Sequence, residues 1–150
     1  MKGRTHILFG MGFVGIILYR LDFWLWAGGT LILAPIFSRL PDYDQKISRI
    51  AFNQIVPHRG KWTHNLLFGL PLGLLLWIPP EMDLVWMGLV GSFGALFAHV
   101  FADAFNYGGV WVGFIKLKVG KFSWDSLIGN LAFKVLGLIA LGFALVTYLV

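Results

Sequence analysis

The sequence predicts an all-α integral membrane protein that forms a single domain over residues 1–150. Hydrophobic residues make up 58% of the chain, charged residues only 13%, and the mean hydropathy is +0.78. A soluble domain of this size is about half apolar and about a quarter charged. The apolar residues also fall into five runs that approach the ~20 residues needed to cross a bilayer. We therefore expect about five transmembrane helices.

The five runs are Ile7–Tyr19, Phe23–Ser38, Trp62–Pro79, Leu84–Ala102 and Asn130–Val150. The first two are short for spans, so a re-entrant hairpin made of both is an alternative to two crossings. The first run is not followed by a small-residue cleavage site of the secretory kind. We therefore interpret it as a retained helix.

The basic residues predict the orientation. Eleven of the twelve lysines and arginines fall on the amino-terminal side of the predicted topology, and only Arg20 falls on the other. The positive-inside bias then places the amino terminus in the cytoplasm, for either interpretation of the first two runs. We expect a multi-pass protein of the cell (inner) membrane. Its net charge of +5 suits anionic membrane lipids as partners, and no nucleic acid is expected.

Two connections on the cytoplasmic side hold most of the polar residues. The first, Arg39–Lys61, opens with a proline turn and continues with apolar residues at helical spacing, which predicts a helix on the membrane surface. The second, Phe105–Gly129, alternates apolar Ile115 and Leu117 with basic Lys116 and Lys118. That alternation is strand-like, and either a small hairpin or an interfacial loop would fit it.

Residues that commonly bind metals are concentrated on this same side. They include every histidine of the chain: His6, Asp42, Asp44, His58, His64, His99 and Asp103. Carboxylates and imidazoles gathered at an apolar boundary are costly unless a cation compensates them. Their nitrogen and oxygen atoms suit zinc, with manganese or iron as alternatives. Seven ligands exceed one tetrahedral site, so we expect one or two ions at a cytoplasm-facing site.

His99 and Asp103 form the clearest pair. They are four residues apart near the end of the fourth run, so a helix places both on one face, one turn apart, where they could share a metal. Asn106 extends that face by another turn. The alternative is a histidine and an aspartate that hydrogen-bond between helices without a metal.

The other candidates each have a second interpretation. His58 and His64 need the bend that Gly60 allows in order to meet, and they could instead contact lipid head groups beside Arg and Lys. Asp42 and Asp44 follow a proline turn, where Asp42 could cap the surface helix and Asp44 could lie in its first turn, near the positive end of the helix dipole. A single histidine such as His6, where the first run meets the cytoplasm, is more often an interface residue than a ligand.

Four segments together resemble a known family. They are Thr5-His6, Leu40-Pro41-Asp42-Tyr43-Asp44, His58-Arg59-Gly60-Lys61-Trp62-Thr63-His64 and His99 to Asn106, in this order. They resemble the YdjM-type membrane-bound metal-dependent hydrolases. That family is in turn distantly similar to the zinc phospholipases C and single-strand nucleases. The resemblance implies a helical fold with clustered zinc ions and, at the superfamily level, hydrolysis of phosphoesters.

The function expected from these observations is that of a membrane-bound, metal-dependent hydrolase acting on a phosphoester of a lipid or lipid-like substrate. Asp44 or Asp103 would accept the proton of an activated water, while Arg59 and Lys61 would neutralise phosphate charge and Asn106 would contact the substrate. A metal-ion transporter or sensor, and a structural membrane protein stabilised by metal, are the alternatives. The oligomeric state stays open, although Gly10, Gly12 and Gly15 would permit close helix packing.

Overall fold

The computed structural model describes residues 3–19, 21–50, 59–77, 83–123 and 125–149, most of which are helical. The α-helices are α1 (Gly3–Ile17), α2 (Phe23–Ala27), α3 (Ala34–Phe37), α4 (Asp44–Ile50), α5 (Gly69–Trp77), α6 (Asp83–Ala104) and α7 (Leu127–Leu149). A π-helical turn, Gly28–Leu33, joins α2 to α3, and 3-10 turns at Leu40–Tyr43 and Leu66–Phe68 lead into α4 and α5. Strands β1 (Val110–Val112) and β2 (Ile115–Leu117) form an antiparallel hairpin.

Three helical segments of the described residues are long and apolar enough to cross a membrane: Phe23–Ile47, Asp83–Ala104 and Leu127–Leu149. Helix α1 is apolar but has only 15 residues, which at 1.5 Å per residue gives about 22 Å. The predicted membrane character and the largely helical fold are thus confirmed. The count of five spans stays a prediction, matched so far by three helices of spanning length.

The third predicted run, Trp62–Pro79, differs most from its expected boundaries. Turns occupy its first residues, and helical structure begins only at the 3-10 turn after Asn65. The reason is local, because the Asn65 side chain accepts a hydrogen bond from the Leu67 amide at 3.1 Å and so caps that turn. Residues 78–82, which contain its end, and residues 51–58, which contain the rest of the expected surface helix, lie outside the described residues.

Helix α1 packs against both long carboxyl-terminal helices, α6 and α7. Its glycines allow this, since a Cβ atom at Gly12 would overlap the backbone of Gly137 in α7. Gly10 lies equally close to the Ser38 side chain, and Gly15 faces Thr30. The small residues noted in the sequence therefore serve contacts within the chain.

The end of the bundle remote from the histidines is fixed by apolar packing and by two aromatic side chains. Trp26 is buried and donates a hydrogen bond to the Gly15 carbonyl at 3.0 Å. Tyr148 of α7 donates to the Leu21 carbonyl at 2.9 Å, where the chain passes from α1 to α2. Because α1 is held along its length, its amino-terminal turn lies beside the carboxyl-terminal end of α6.

The segment after α6 adopts the hairpin that was one of the two expected structures. Val110 pairs with Leu117 and Val112 with Ile115. Asn65 ties the tip to the preceding loop: its side chain donates to the Gly113 carbonyl and accepts from the Gly113 amide, both at 3.1 Å. The hairpin thus holds the loop of residues 59–64 near the end of α6.

The glycine contact between α1 and α7 leads to a test. We expect Gly12→Val to lower the free energy of unfolding in detergent by about 1–3 kcal/mol, because the added side chain overlaps the Gly137 backbone. Gly142→Val is the matched control, because a Cβ at Gly142 meets no atom within 4 Å. Thermal unfolding followed by circular dichroism measures both, and equal melting temperatures for the two variants would contradict this packing.

Candidate metal centre

Four side chains from three segments converge at the carboxyl-terminal end of α6. They are Asp42 from the 3-10 turn before α4, His64 from the loop before α5, and His99 and Asp103 from α6. One possible ligand atom from each lies within 4.8 Å of those of the other three. All but Asp42 are buried. This arrangement could hold a metal ion.

The distances within the cluster suit a shared ion better than hydrogen bonds. The Nε2 atom of His99 lies 3.6 Å from Oδ1 of Asp42 and 3.7 Å from Oδ2 of Asp103. The Nε2 atom of His64 lies 3.9 Å and 3.5 Å from the same two oxygens. Two ligands of one tetrahedral zinc, each about 2.0–2.2 Å from the ion, are about 3.3–3.6 Å apart.

The hydrogen bond on the far side of His99 fixes which ring nitrogen can bind an ion. Nδ1 lies 2.6 Å from the backbone carbonyl oxygen of Ser38, which can only accept a hydrogen bond. Nδ1 therefore carries the proton, and in the neutral ring Nε2 presents a lone pair to two carboxylate oxygens. This Nε2 is buried and has no hydrogen-bond partner in the described part of the chain. A cation fits between these atoms, because the two carboxylate oxygens that face Nε2 are acceptors like Nε2 itself.

Asp44 orients His64 from behind the cluster. Its Oδ2 lies 3.2 Å from Nδ1 of His64 and also accepts hydrogen bonds from the Thr63 hydroxyl at 2.5 Å and the Arg59 amide at 2.9 Å. A carboxylate on one nitrogen of a histidine turns the other nitrogen towards a metal and makes it more basic. Asp44 was expected to be a ligand; in the structure its carboxylate contacts Nδ1 of His64, on the side of the ring away from the four-residue cluster.

The surroundings of His64 favour its protonated form while no metal is bound. Burial lowers the pKa of this imidazole, but its contacts with the negatively charged carboxylates of Asp103 and Asp44 outweigh burial, so the pKa lies above its ordinary value. A metal ion must displace that proton. Metal affinity should therefore fall as the pH is lowered.

His6 of α1 lies against the cluster but outside the group of four. Its ring is fully buried and stacks on His99 with centroids 3.8 Å apart. Its Nε2 atom lies 3.3 Å from Oδ1 of Asp103, whereas Nε2 of His64 lies 3.5 Å from Oδ2. Asp103 thus has imidazoles facing both of its oxygens, which is the arrangement of a carboxylate that could bridge two ions.

Arg59 enters the site in an unusual backbone conformation. Its φ angle is +55°, in the left-handed region that non-glycine residues rarely adopt. The amide is held by Asp44 as described, and the carbonyl accepts a hydrogen bond from Trp111 Nε1 at 3.2 Å. The guanidinium lies against Gly108, where a Cβ atom would overlap it, and its NH2 atom is 3.4 Å from Oδ2 of Asp103. A cationic fork is therefore positioned beside the cluster.

Comparison with known proteins gives the same family as the four motifs. A family model described as YdjM inner membrane protein matches residues 1–149. The chain belongs to the YdjM family. Neither a curated protein nor a solved structure matches it. The family assignment made from the motifs is confirmed, and the inner membrane is the location that the family description gives.

Not every residue that the sequence predicted for the site lies in the cluster. Asn106 is buried and donates a hydrogen bond to Oδ1 of Asp103, so it supports that carboxylate from within the protein. Lys61 is exposed, with Nζ 5.5 Å from the Trp62 ring and 5.3 Å from the Phe114 ring, and points to the surface. His58 lies outside the described residues.

Three residues that contribute to the site could not be identified from the sequence. Ser38 acts through its backbone carbonyl, which any residue type provides. Trp111 and Gly108 act through their contacts with Arg59, about 50 residues earlier in the chain. In a single sequence, nothing distinguishes these residues from the surrounding aromatic and glycine residues.

The arrangement around His64 predicts the effect of removing the charge on Asp44. We expect Asp44→Asn to weaken zinc binding by about 10–100-fold, because the amide no longer holds and polarises the imidazole as a carboxylate does. Asp22→Asn is the control, since Asp22 is exposed and lies between α1 and α2 at the other end of the bundle. Competition with a chromophoric zinc chelator measures both affinities. Wild-type affinity in Asp44→Asn would show that Asp44 does not support the metal site.

Proposed function

We propose that this protein is a membrane-bound hydrolase that uses one or two metal ions to cleave a phosphoester of a lipid or lipid-like substrate. The observation that carries the proposal is the convergence of Asp42, His64, His99 and Asp103, with a buried imidazole lone pair directed at carboxylate oxygens. These four residues would hold the first ion, and zinc suits their mixed nitrogen and oxygen atoms. His6 and Oδ1 of Asp103, the oxygen nearest to the His6 ring, would be ligands of a second ion.

A metal bound there supplies Lewis acidity, which activates water and polarises a phosphoryl oxygen. The side chains around it have separate roles. Arg59, whose guanidinium lies next to Asp103, would bind a phosphoryl oxygen and neutralise its charge. Asp44 would keep the His64 ring oriented through its contact with Nδ1.

The proton of the attacking water needs an acceptor that solvent can reach. Asp44 and Asp103 were the expected acceptors, but both are buried and engaged by several neighbours. The Asp42 side chain is 35% exposed, so the cluster opens along this edge. We assign Oδ2 of Asp42 as the proton acceptor, because Oδ1 is the oxygen that faces His64 and His99, and we assign this edge as the route of entry for the substrate.

The open edge also bears on the alternative of a purely structural metal. Structural zinc sites are closed, with four protein ligands and no free position, whereas catalytic sites keep one position open. Four protein ligands would fill a tetrahedral zinc, so catalysis requires a fifth position for water, and the exposed Asp42 side of the cluster is where that position would lie. Placing the site in the cytoplasmic leaflet, where the basic residues of the chain are concentrated, supports an anionic lipid as substrate.

The proposal is tested with purified protein in detergent. Elemental analysis should find bound zinc or another transition metal, and His99→Gln should remove it, because the amide lacks the imidazole lone pair. Hydrolysis of a phospholipid and of a water-soluble phosphodiester should fall by at least a hundredfold in the same variant. Asp22→Asn serves as the control, with metal content and activity unchanged.

Each competing function gives a different outcome. Wild-type protein without bound transition metal would overturn the proposal. Bound metal without hydrolysis, together with a melting temperature that falls sharply when a chelator is added, would support the structural alternative. Uptake of zinc or manganese by liposomes that is lost in His99→Gln would support a transporter.

A further inference from the structure

An apolar groove runs along the exposed side of α5. Its volume is about 480 Å³, and its lining includes Leu66, Leu67, Leu70, Gly73, Leu76 and Phe97. The volume lies within the range of about 300–1,000 Å³ that is usual for ligand pockets. Leu70 is 62% exposed and Leu76 50% exposed, so apolar side chains stand open along the groove.

Two glycines on one face of α5 create this groove. Gly69 packs directly on the ring of Phe97, which brings α5 close to α6. One turn later, a Cβ atom at Gly73 would meet no atom within 4 Å. The groove is therefore open where a side chain could have filled it without any clash.

The dimensions of the groove match one leaflet of a bilayer. Leu66 and Leu76 are ten residues apart along the 3-10 turn and α5, which corresponds to about 15 Å. The hydrocarbon core of a bilayer is about 30 Å thick, so the groove spans about half of it. A fatty acyl chain of one leaflet extends over the same depth.

One end of the groove is basic and lies beside the candidate metal centre. Leu67 follows His64 by only three residues, and Asn65 between them is bonded to the hairpin tip at Gly113. Lys61 lies at this end over the rings of Trp62 and Phe114. Lys116 pairs with Trp111 on the hairpin face opposite to Val112, which lines the groove. Lys116 therefore lies towards the loop of residues 59–64, where Trp111 donates to the Arg59 carbonyl, with Nζ 5.8 Å from the Trp111 ring. Aromatic rings and lysines together are typical of the head-group region.

We propose that the groove binds one acyl chain of an anionic phospholipid, with the head group held at Lys61 and Lys116. This deepens the proposed function and rests on it in one respect, namely that the bound lipid is the substrate. The apolar lining selects the hydrocarbon chain, and the two lysines select a negative head group. Binding in the groove would bring the phosphoester to the loop that carries Arg59 and His64.

The test measures lipid that stays bound to the protein. Protein reconstituted in equal amounts of phosphatidylglycerol and phosphatidylcholine is extracted with detergent, and the lipid retained per chain is measured by mass spectrometry. Wild-type protein should retain phosphatidylglycerol preferentially. Gly73→Phe should lower this retention at least tenfold by filling the groove. Gly142→Phe is the matched control, since Gly142 is an exposed glycine of α7 whose Cβ position is equally open.

Further variants keep the test decisive. If Gly73→Phe does not fold, Gly73→Leu fills the same space with a smaller side chain and should give the same direction of change. The double variant Lys61→Gln with Lys116→Gln should lower the preference for phosphatidylglycerol by roughly fivefold per lysine. Bound zinc is measured in each sample and should stay at the wild-type level in Gly73→Phe.

The outcomes separate this inference from the proposed function. Wild-type retention in Gly73→Phe would overturn the groove as an acyl-chain site, and equal retention of both lipids by the wild type would overturn the selection of an anionic head group. Loss of lipid with zinc retained supports the groove. Preferential retention by a wild-type protein that hydrolyses no phosphoester would overturn the proposed function and leave the lipid site standing.

Discussion

The buried carboxylate of Asp103 is the constraint around which this site is built. It lies fully buried near the end of an otherwise apolar helix, where an uncompensated negative charge would cost several kcal/mol. Compensation comes from four side chains in three segments: His6 of α1, Arg59 and His64 of the loop before α5, and Asn106 directly after α6. The docking of α1 and of the loop before α5 therefore depends on the same charge. A metal ion bound between these groups would compensate the negative charge that they leave unbalanced, and this links the stability of the site to its proposed chemistry.

A second carboxylate, that of Asp44, gives the loop its shape. It holds the Arg59 amide, the Thr63 hydroxyl and Nδ1 of His64 at the same time. The left-handed conformation of Arg59 costs of order 1–3 kcal/mol, and Asp44 with Trp111 provides the bonds that maintain it. The buried Asp44 carboxylate thus orients both the His64 imidazole and the backbone of Arg59 next to the cluster.

The position of the cluster within the bundle follows from the packing of the helices. Close contact of α1 with α7 through Gly12 and Gly137 fixes the height of the amino-terminal turn, and with it the height of His6. The hairpin and its lysines lie at the same end of the bundle as the cluster. A substrate at this boundary would have an apolar part in the groove along α5 and a charged part at the cluster. This arrangement is the reason that an amphiphilic substrate is proposed.

The sequence by itself determined the membrane character, the helices, the family and most members of the cluster. Hydropathy reports burial in lipid directly, and the four-residue spacing of His99 and Asp103 places both on one helical face whatever the rest of the chain does. Only the tertiary structure decided which atoms each of these residues contacts. In the structure Asp44 contacts Nδ1 of His64, Lys61 lies at the surface, and the Ser38 carbonyl bonds to His99. The contacts of the two histidines join residues that are about 20 and 60 positions apart in the sequence. Spacing along the sequence carries no information about such contacts, since they depend on how α1, the loop of residues 59–64 and α6 pack together.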